Sequence, residues 1–316
     1  MNIALLFPGQ GAQYVGMGKD FYENFNEVKF YYEQAEKILG YDIKKIIFES
    51  DQNILSQTEF TQPSVFLTSF VMFEMLKTKV PKIVEKIKYV AGHSLGEYTA
   101  VCASEALSFE QTLQVVSERA KIMASVSKSN PGGMIAVIGV QKDELINLCQ
   151  EIKNEGYVVE PVNFNTPQQI VVAGEEKGLN KLQEILSLKR VKVIKLNVSG
   201  AFHSSLMNEA QKIFSGTLDK LNINNALIPI VMNYDAKPHT KKEEILENLK
   251  LQINHPVLWV DSVKYMLDDG VDLFIECGPG KILSNMVKKI VTDSNIKVYN
   301  IEKLEDLNFF IQQISL

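Results

Sequence analysis

At residues 92–96 the chain reads Gly-His-Ser-Leu-Gly, a serine between two glycines where an apolar run gives way to a helical pattern. Such a strand-to-helix turn is too tight for side chains at its two flanking positions, and it lifts the serine clear of the sheet beside a helix N-terminus. There Ser94 could act as a nucleophile, with the Leu95 N–H aimed at developing negative charge. The competing reading makes Ser94 a cap on the helix that follows, paired with Glu97 in a Ser-x-x-Glu box. A nucleophilic hydroxyl needs a base, because a free serine is almost wholly protonated at neutral pH. The chain has four histidines. His93, beside Ser94 on a sharp turn, should point away from it; His239 sits in a polar loop, and His255 precedes Pro256. His203, in Ser-Gly-Ala-Phe-His-Ser, opens a helix after a strand and is the best candidate.

Two further features bear on a substrate. Phe7-Pro8-Gly9-Gln10-Gly11 runs a strand into a bare backbone, where the N–H of Gln10 could be a second donor to an oxyanion; a plain turn and a phosphate loop are the alternatives. Of the 33 basic residues only Arg119 and Arg190 are arginine. A chain that uses lysine for ordinary positive charge spends arginine where a planar fork matters, so Arg119 points to an anionic substrate, against the alternative of a surface ion pair with Glu118.

The elements around these residues alternate between strand-like and helix-like, the pattern of an α/β fold on a parallel sheet. Strands are expected at "NIALLF" and "IKYVAG", with helices over about 20–39, 64–76 and 97–106. Ser108 to Gln111 reads as a capping box opening a helix to about Ser125. The composition then turns polar and glycine-rich over 127–133. Beyond it, strand, helix, two strands, helix and strand follow within about seventy residues, the βαββαβ order of a ferredoxin-like unit. Past Ser199 the larger pattern resumes, with helices over about 205–221, 242–251, 261–267 and 281–292 and strands at "IPIVMN" and "DLFIECG". The expected organisation is therefore a large domain of residues 1–126 and 199–316 carrying an inserted small domain of residues 127–198.

Composition narrows the function classes. With 46% hydrophobic residues, 22% charged residues and a net charge of −5, this is a globular chain without the basic surface that nucleic acid requires. Cys102, Cys149 and Cys277 are far apart, which argues for no metal site and for a reducing compartment. No signal peptide or membrane span is evident, so a cytoplasmic protein is expected.

Taken together and in order, "FPGQGAQ", "TQPS", "AGHSLGEY", "SERAK", "NFNTPQQIVVAG", "GAFHSSLM", the Gln and "PVLW" of "QINHPVLW", and "ECGPGKIL" span residues 7 to 283. This pattern resembles the malonyl-CoA:acyl carrier protein transacylases of fatty-acid synthesis. The resemblance implies an α/β-hydrolase-like large domain with a ferredoxin-like insert. It implies Ser94 as nucleophile, His203 as base, Arg119 as clamp for the malonyl carboxylate, and Gln10 and Leu95 as oxyanion donors. Gln252 falls where the family orients the histidine, largely through a main-chain carbonyl; Gln62 and Asn165 fall on further motif positions. Phe202 resembles the bulky residue that discriminates against methyl-branched extenders. The implied partners are malonyl-CoA and acyl carrier protein, with no cofactor, no nucleic acid, no membrane and a monomeric chain. A serine hydrolase on the same scaffold and a non-enzymatic carrier-binding adaptor are the rival readings.

Overall fold

The computed structural model describes residues 1–314; the last two residues of the expected large domain, 315 and 316, lie outside the described residues. Strands β1 (Ile3–Phe7), β2 (Ile87–Gly92), β7 (Ile230–Val231), β8 (Pro238–His239), β9 (Leu273–Cys277) and β10 (Lys297–Ile301) form one sheet in the order β10-β9-β1-β2-β7-β8. Every pairing in it is parallel except β7 with β8. A parallel sheet is covered on both faces, so its central strands are apolar throughout and do not alternate. β1 is buried at all five positions. Its alternate side chains split between two cores: Ile3, Leu5 and Phe7 face the helices Thr58–Lys79 and Gly96–Ala103, while Ala4 and Leu6 join Trp259, Val263 and Val287 on the other face.

Strands β3 (Gly133–Ile138), β4 (Val159–Thr166), β5 (Gln169–Gly174) and β6 (Lys192–Lys195) form a separate antiparallel sheet in the order β4-β5-β3-β6. Period-two alternation again divides the burial. Ile135 and Val137 pack under the helices Lys142–Asn154 and Glu176–Leu188, whereas Met134 and Ala136 turn to the main core. One face of the small sheet thus closes over the larger body, beside the turn that carries Ser94.

Several boundaries differ from the sequence reading, each for a local reason. The tract 20–39 is two helices, Lys19–Asn24 and Asn26–Leu39, because Phe25 is extended at φ −128° and ψ 122° and tilts its ring onto Phe21. The helix expected from Ser64 starts at Thr58 and contains Pro63. Proline removes one backbone bond so near the helix start, and complete burial of residues 61–64 offsets it. That extra turn matters, because it places Gln62. The helix opened by the Ser108 and Gln111 capping box runs to Ser129, so the connection to the small sheet is shorter than 127–133. The tract from Ser205 begins as a 3₁₀ turn and becomes a helix over Asn208–Leu218. The helices Ile43–Phe48, Gln52–Leu55 and Leu304–Gln313 and the strands β8 and β10 were not anticipated. All but Leu304–Gln313 are short or lie at sheet edges, where no full period of apolar residues accumulates; that helix does carry one, in Leu304, Leu307, Phe310 and Ile311.

Candidate active site

β2 ends at Gly92 and the next helix begins at Gly96, and the turn between them is as tight as the paired glycines require. A Cβ on Gly92 would stand 1.9 Å from the Gly96 carbonyl carbon, and one on Gly96 would stand 1.9 Å from the Phe7 carbonyl oxygen. Ser94 itself is held at φ 51°, in the left-handed region that a non-glycine residue rarely occupies. The competing Ser-x-x-Glu cap is not formed: the helix Gly96–Ala103 has no side-chain cap, and the Ser94 N–H donates instead to Asn233 Oδ1 at 2.7 Å. Asn233 ends the β7 segment at the same edge of the sheet and donates Nδ2 to the Gly92 carbonyl at 2.6 Å.

The loop after β6 brings His203 to this turn. Its Nε2 lies 2.7 Å from Ser94 Oγ, and its Nδ1 lies 2.8 Å from the main-chain carbonyl of Gln252. A carbonyl can only accept, so Nδ1 carries the hydrogen and Nε2 offers its lone pair to the serine. Burial, then the Arg119 charge, pull the His203 pKa down to about 3, so the ring is a neutral base across the neutral range. His203 is itself at φ 62°, a second strained residue at the same point.

Arg119 comes from the middle of the helix Phe109–Ser129 and is 1% exposed. The surface pair with Glu118 does not form; Glu118 pairs with Lys121. The guanidinium donates Nη1 to Gln62 Oε1 at 2.8 Å, Nη2 to Gln252 Oε1 at 2.8 Å and Nη2 to Ser94 Oγ at 3.2 Å, and lies over the Tyr98 ring. Of its five N–H donors three are used, leaving Nε–H and one Nη1 hydrogen without a partner among the described residues, and the Nη2 hydrogen on Ser94 can be released to a carboxylate as well. No acid touches Arg119 among the described residues; burial lowers its pKa from the ordinary value, yet arginine remains charged.

Gln10, Leu95, Gln62, Phe202, His203, Ser94 and Arg119 line one cavity of about 80 Å³, together with Met123, Met134, Leu196 and Val198. The main-chain N–H groups of Gln10 and Leu95 donate to no other group among the described residues. The Gln10 side chain is turned away, to Thr58 Oγ1 at 3.3 Å. Asn165 stands apart from Ser94: its Oδ1 accepts from His93 Nε2 at 2.8 Å and its Nδ2 donates to Gln169 Oε1 at 3.4 Å. His93, which also lines the cavity, is thus engaged by Asn165 and makes no side-chain hydrogen bond to Ser94 among the described residues. A larger cavity of about 670 Å³ adjoins this one, sharing Met134, Leu196 and Val198. Sequence reasoning missed Asn233 and the bonds that Glu97 accepts from Asn233 and Gln252, and it missed the apolar lining from the small sheet. Asn233 carried one signal, its position at the carboxyl end of a strand of the parallel sheet, where open α/β folds gather their ligands.

No group of His, Cys, Asp and Glu side chains is arranged to hold a metal ion among the described residues, and no described helix is long and apolar enough to cross a membrane.

Residues 4–304 match the family model described as "Acyl transferase domain". A malonyl CoA-acyl carrier protein transacylase of Staphylococcus aureus is 38% identical over 305 residues, covering 96% of each chain. The solved malonyl CoA-acyl carrier protein transacylase of Clostridium perfringens superposes with a TM-score of 0.91 at 35% identity, covering 99% of this chain and 97% of that one. A malonyl-transacylase solved in complex with a type II PKS acyl-carrier protein superposes with a TM-score of 0.94 at 29% identity, covering 99% and 100%. With its motifs in one pocket and this likeness along its length, the chain belongs to the acyltransferase family of the malonyl CoA-acyl carrier protein transacylases.

Proposed function

We propose that this enzyme moves a malonyl group from malonyl-CoA to the phosphopantetheine thiol of an acyl carrier protein through a malonyl ester on Ser94. The observation that carries the reading is the convergence on one hydroxyl: Ser94 Oγ lies 2.7 Å from His203 Nε2 and 3.2 Å from Arg119 Nη2. His203 takes the serine proton as Oγ attacks the thioester carbonyl, and the oxyanion is received by the N–H groups of Leu95 and Gln10. Collapse expels the coenzyme A thiolate, which takes the proton from His203. The carrier thiol then gives its proton to Nε2, attacks the ester and leaves as malonyl carrier, with the proton returned to Ser94. Both half-reactions use one site in turn, which gives ping-pong kinetics. Arg119 holds the malonyl carboxylate throughout.

Several features support the finer reading. The orienting group behind His203 is a neutral carbonyl, a weaker support than the carboxylate of a hydrolase triad; thioesters tolerate this because a thiolate leaves readily. The cavity suits a short acyl group, and the larger one beside it gives the rest of the thioester somewhere to lie. In the small domain, 127–198, the order β4-β5-β3-β6 supports a ferredoxin-like unit set into an α/β-hydrolase-like body. Three buried, unpaired cysteines accord with a cytoplasmic setting. The reading assigns no cofactor, since both thioesters are substrates.

Acceptor dependence tests the reading against a serine hydrolase. With malonyl-CoA alone, coenzyme A should be released in a burst equal to the enzyme and then stall, and holo carrier protein should restore turnover. Free malonate formed at full rate without acceptor would contradict transfer.

Phe202 is buried and lines the acyl cavity, so a methyl branch should collide with it. One methyl group is worth about 10–200-fold in such a pocket. The kcat/KM for malonyl-CoA should exceed that for methylmalonyl-CoA by a factor in this range, and equal values would remove Phe202 from selectivity.

A further inference from the structure

The polar groups of the pocket lead back to a side chain that touches neither the acyl cavity nor the reacting atoms. Glu97 is fully buried, and each carboxylate oxygen receives one bond, Oε2 from the Asn233 main-chain N–H at 2.5 Å and Oε1 from Gln252 Nε2 at 3.1 Å. Asn233 holds the Ser94 N–H at 2.7 Å. Gln252 accepts from Arg119 at 2.8 Å, donates to the Ser94 carbonyl at 2.7 Å and presents its own carbonyl to His203 at 2.8 Å. Nucleophile, base and clamp are each one residue away from the same carboxylate.

We propose that Glu97 is a positioning residue for malonyl transfer, an insulated counter-charge that keeps Arg119 and Ser94 in place while leaving the guanidinium free for the substrate carboxylate. The proposal rests on the functional reading above. A buried guanidinium with no acid nearby is costly, yet an acid in direct contact would occupy the fork that malonyl needs. The Gln252 amide resolves this by standing between them. It gives Arg119 a neutral acceptor and passes a donor on to Glu97. Both groups that touch Glu97 donate, which suits its ionised form. Burial raises its pKa to about 8 even against the pull of the Asn233 N–H, the Arg119 charge and the Gln252 amide, so the counter-charge is complete only above that pH.

Glu97→Gln replaces one acceptor with a donor that meets a donor whichever way the new amide lies. Acylation of Ser94 in the full-length protein by malonyl-CoA and by acetyl-CoA, followed by intact mass, gives the readout. Malonylation should slow about 100-fold and acetylation about tenfold or less, so the malonyl-to-acetyl ratio should fall by about tenfold or more. A second variant, Glu97→Gln with Gln252→Glu, restores the donor and acceptor between these two positions, gives up the bond to the Ser94 carbonyl and moves the carboxylate onto the guanidinium. A purely structural role predicts that malonylation and acetylation fall together in this variant, leaving the parent ratio. The insulated counter-charge predicts that it folds, acetylates Ser94 and has lost its malonyl preference. A parent ratio in either folded variant overturns the proposal. Absence of any Ser94 adduct on the unsubstituted enzyme would instead overturn the functional reading on which it rests.

Discussion

Ser94→Ala is expected to fold as the parent does and to lose malonyl transfer by about 10⁴-fold or more, with no acyl adduct at any point in the reaction. The effect is large because the hydroxyl is the atom on which the other groups converge. Without it, His203 has no proton to move and the donors of Leu95 and Gln10 have no tetrahedral oxygen to receive. Folding should be little affected. The turn is held by the Ser94 N–H on Asn233 and by the glycine contacts at 92 and 96, none of which uses the side chain. Steady-state transfer, read as malonyl carrier protein, checks the rate, and circular dichroism checks the fold. Transfer at the parent rate would exclude a covalent route through this residue.

Arg119→Ala should abolish the preference for malonyl over acetyl thioesters, lowering kcat/KM for malonyl-CoA by about 10³-fold while leaving acetyl-CoA within about tenfold of the parent. A carboxylate desolvated in this pocket has Arg119 as its cationic partner, and truncating one side of a buried charge pair costs roughly 2–5 kcal/mol. The same change strips Gln62 Oε1 and Gln252 Oε1 of their donor. Each unsatisfied buried acceptor costs about 1–3 kcal/mol, so a lower unfolding midpoint should accompany the loss of selectivity. Arg119→Lys separates fork from charge. Lysine keeps the charge but cannot serve Gln62, Gln252 and a carboxylate together, so it should recover only part of the malonyl rate. Competition between the two thioesters provides the measurement, and an unchanged preference in Arg119→Ala would remove Arg119 from the site.

The ease with which these residues could be found in the sequence follows from how strongly local physics constrains them. Ser94 was legible because its turn admits no side chain at 92 or 96, a demand that only glycine meets. Arg119 was legible by contrast, as one of two arginines among 33 basic residues. His203 was weaker, since nothing local distinguishes a histidine that folds over a distant sheet edge from one that packs in a loop. The antiparallel unit could be read from its alternating strands and the spacing of its helices. Glu97 and Asn233 could not be assigned, because a buried polar network is fixed by partners far apart in sequence and leaves no period behind. Glu97 even matched a capping pattern that the fold does not use. The short helices at 43–48 and 52–55 and the edge strand β10 escaped for the opposite reason: their apolar residues are too few to set a rhythm, and tertiary packing decides them.

Intact mass of the full-length protein after mixing with malonyl-CoA, followed by addition of holo carrier protein, tests the central claim most directly. The account predicts a single malonyl adduct that maps to Ser94 and disappears as an equal amount of malonyl carrier protein forms. A protein that transfers malonate while its own mass stays unchanged, or an adduct on another residue that the carrier discharges, would contradict it.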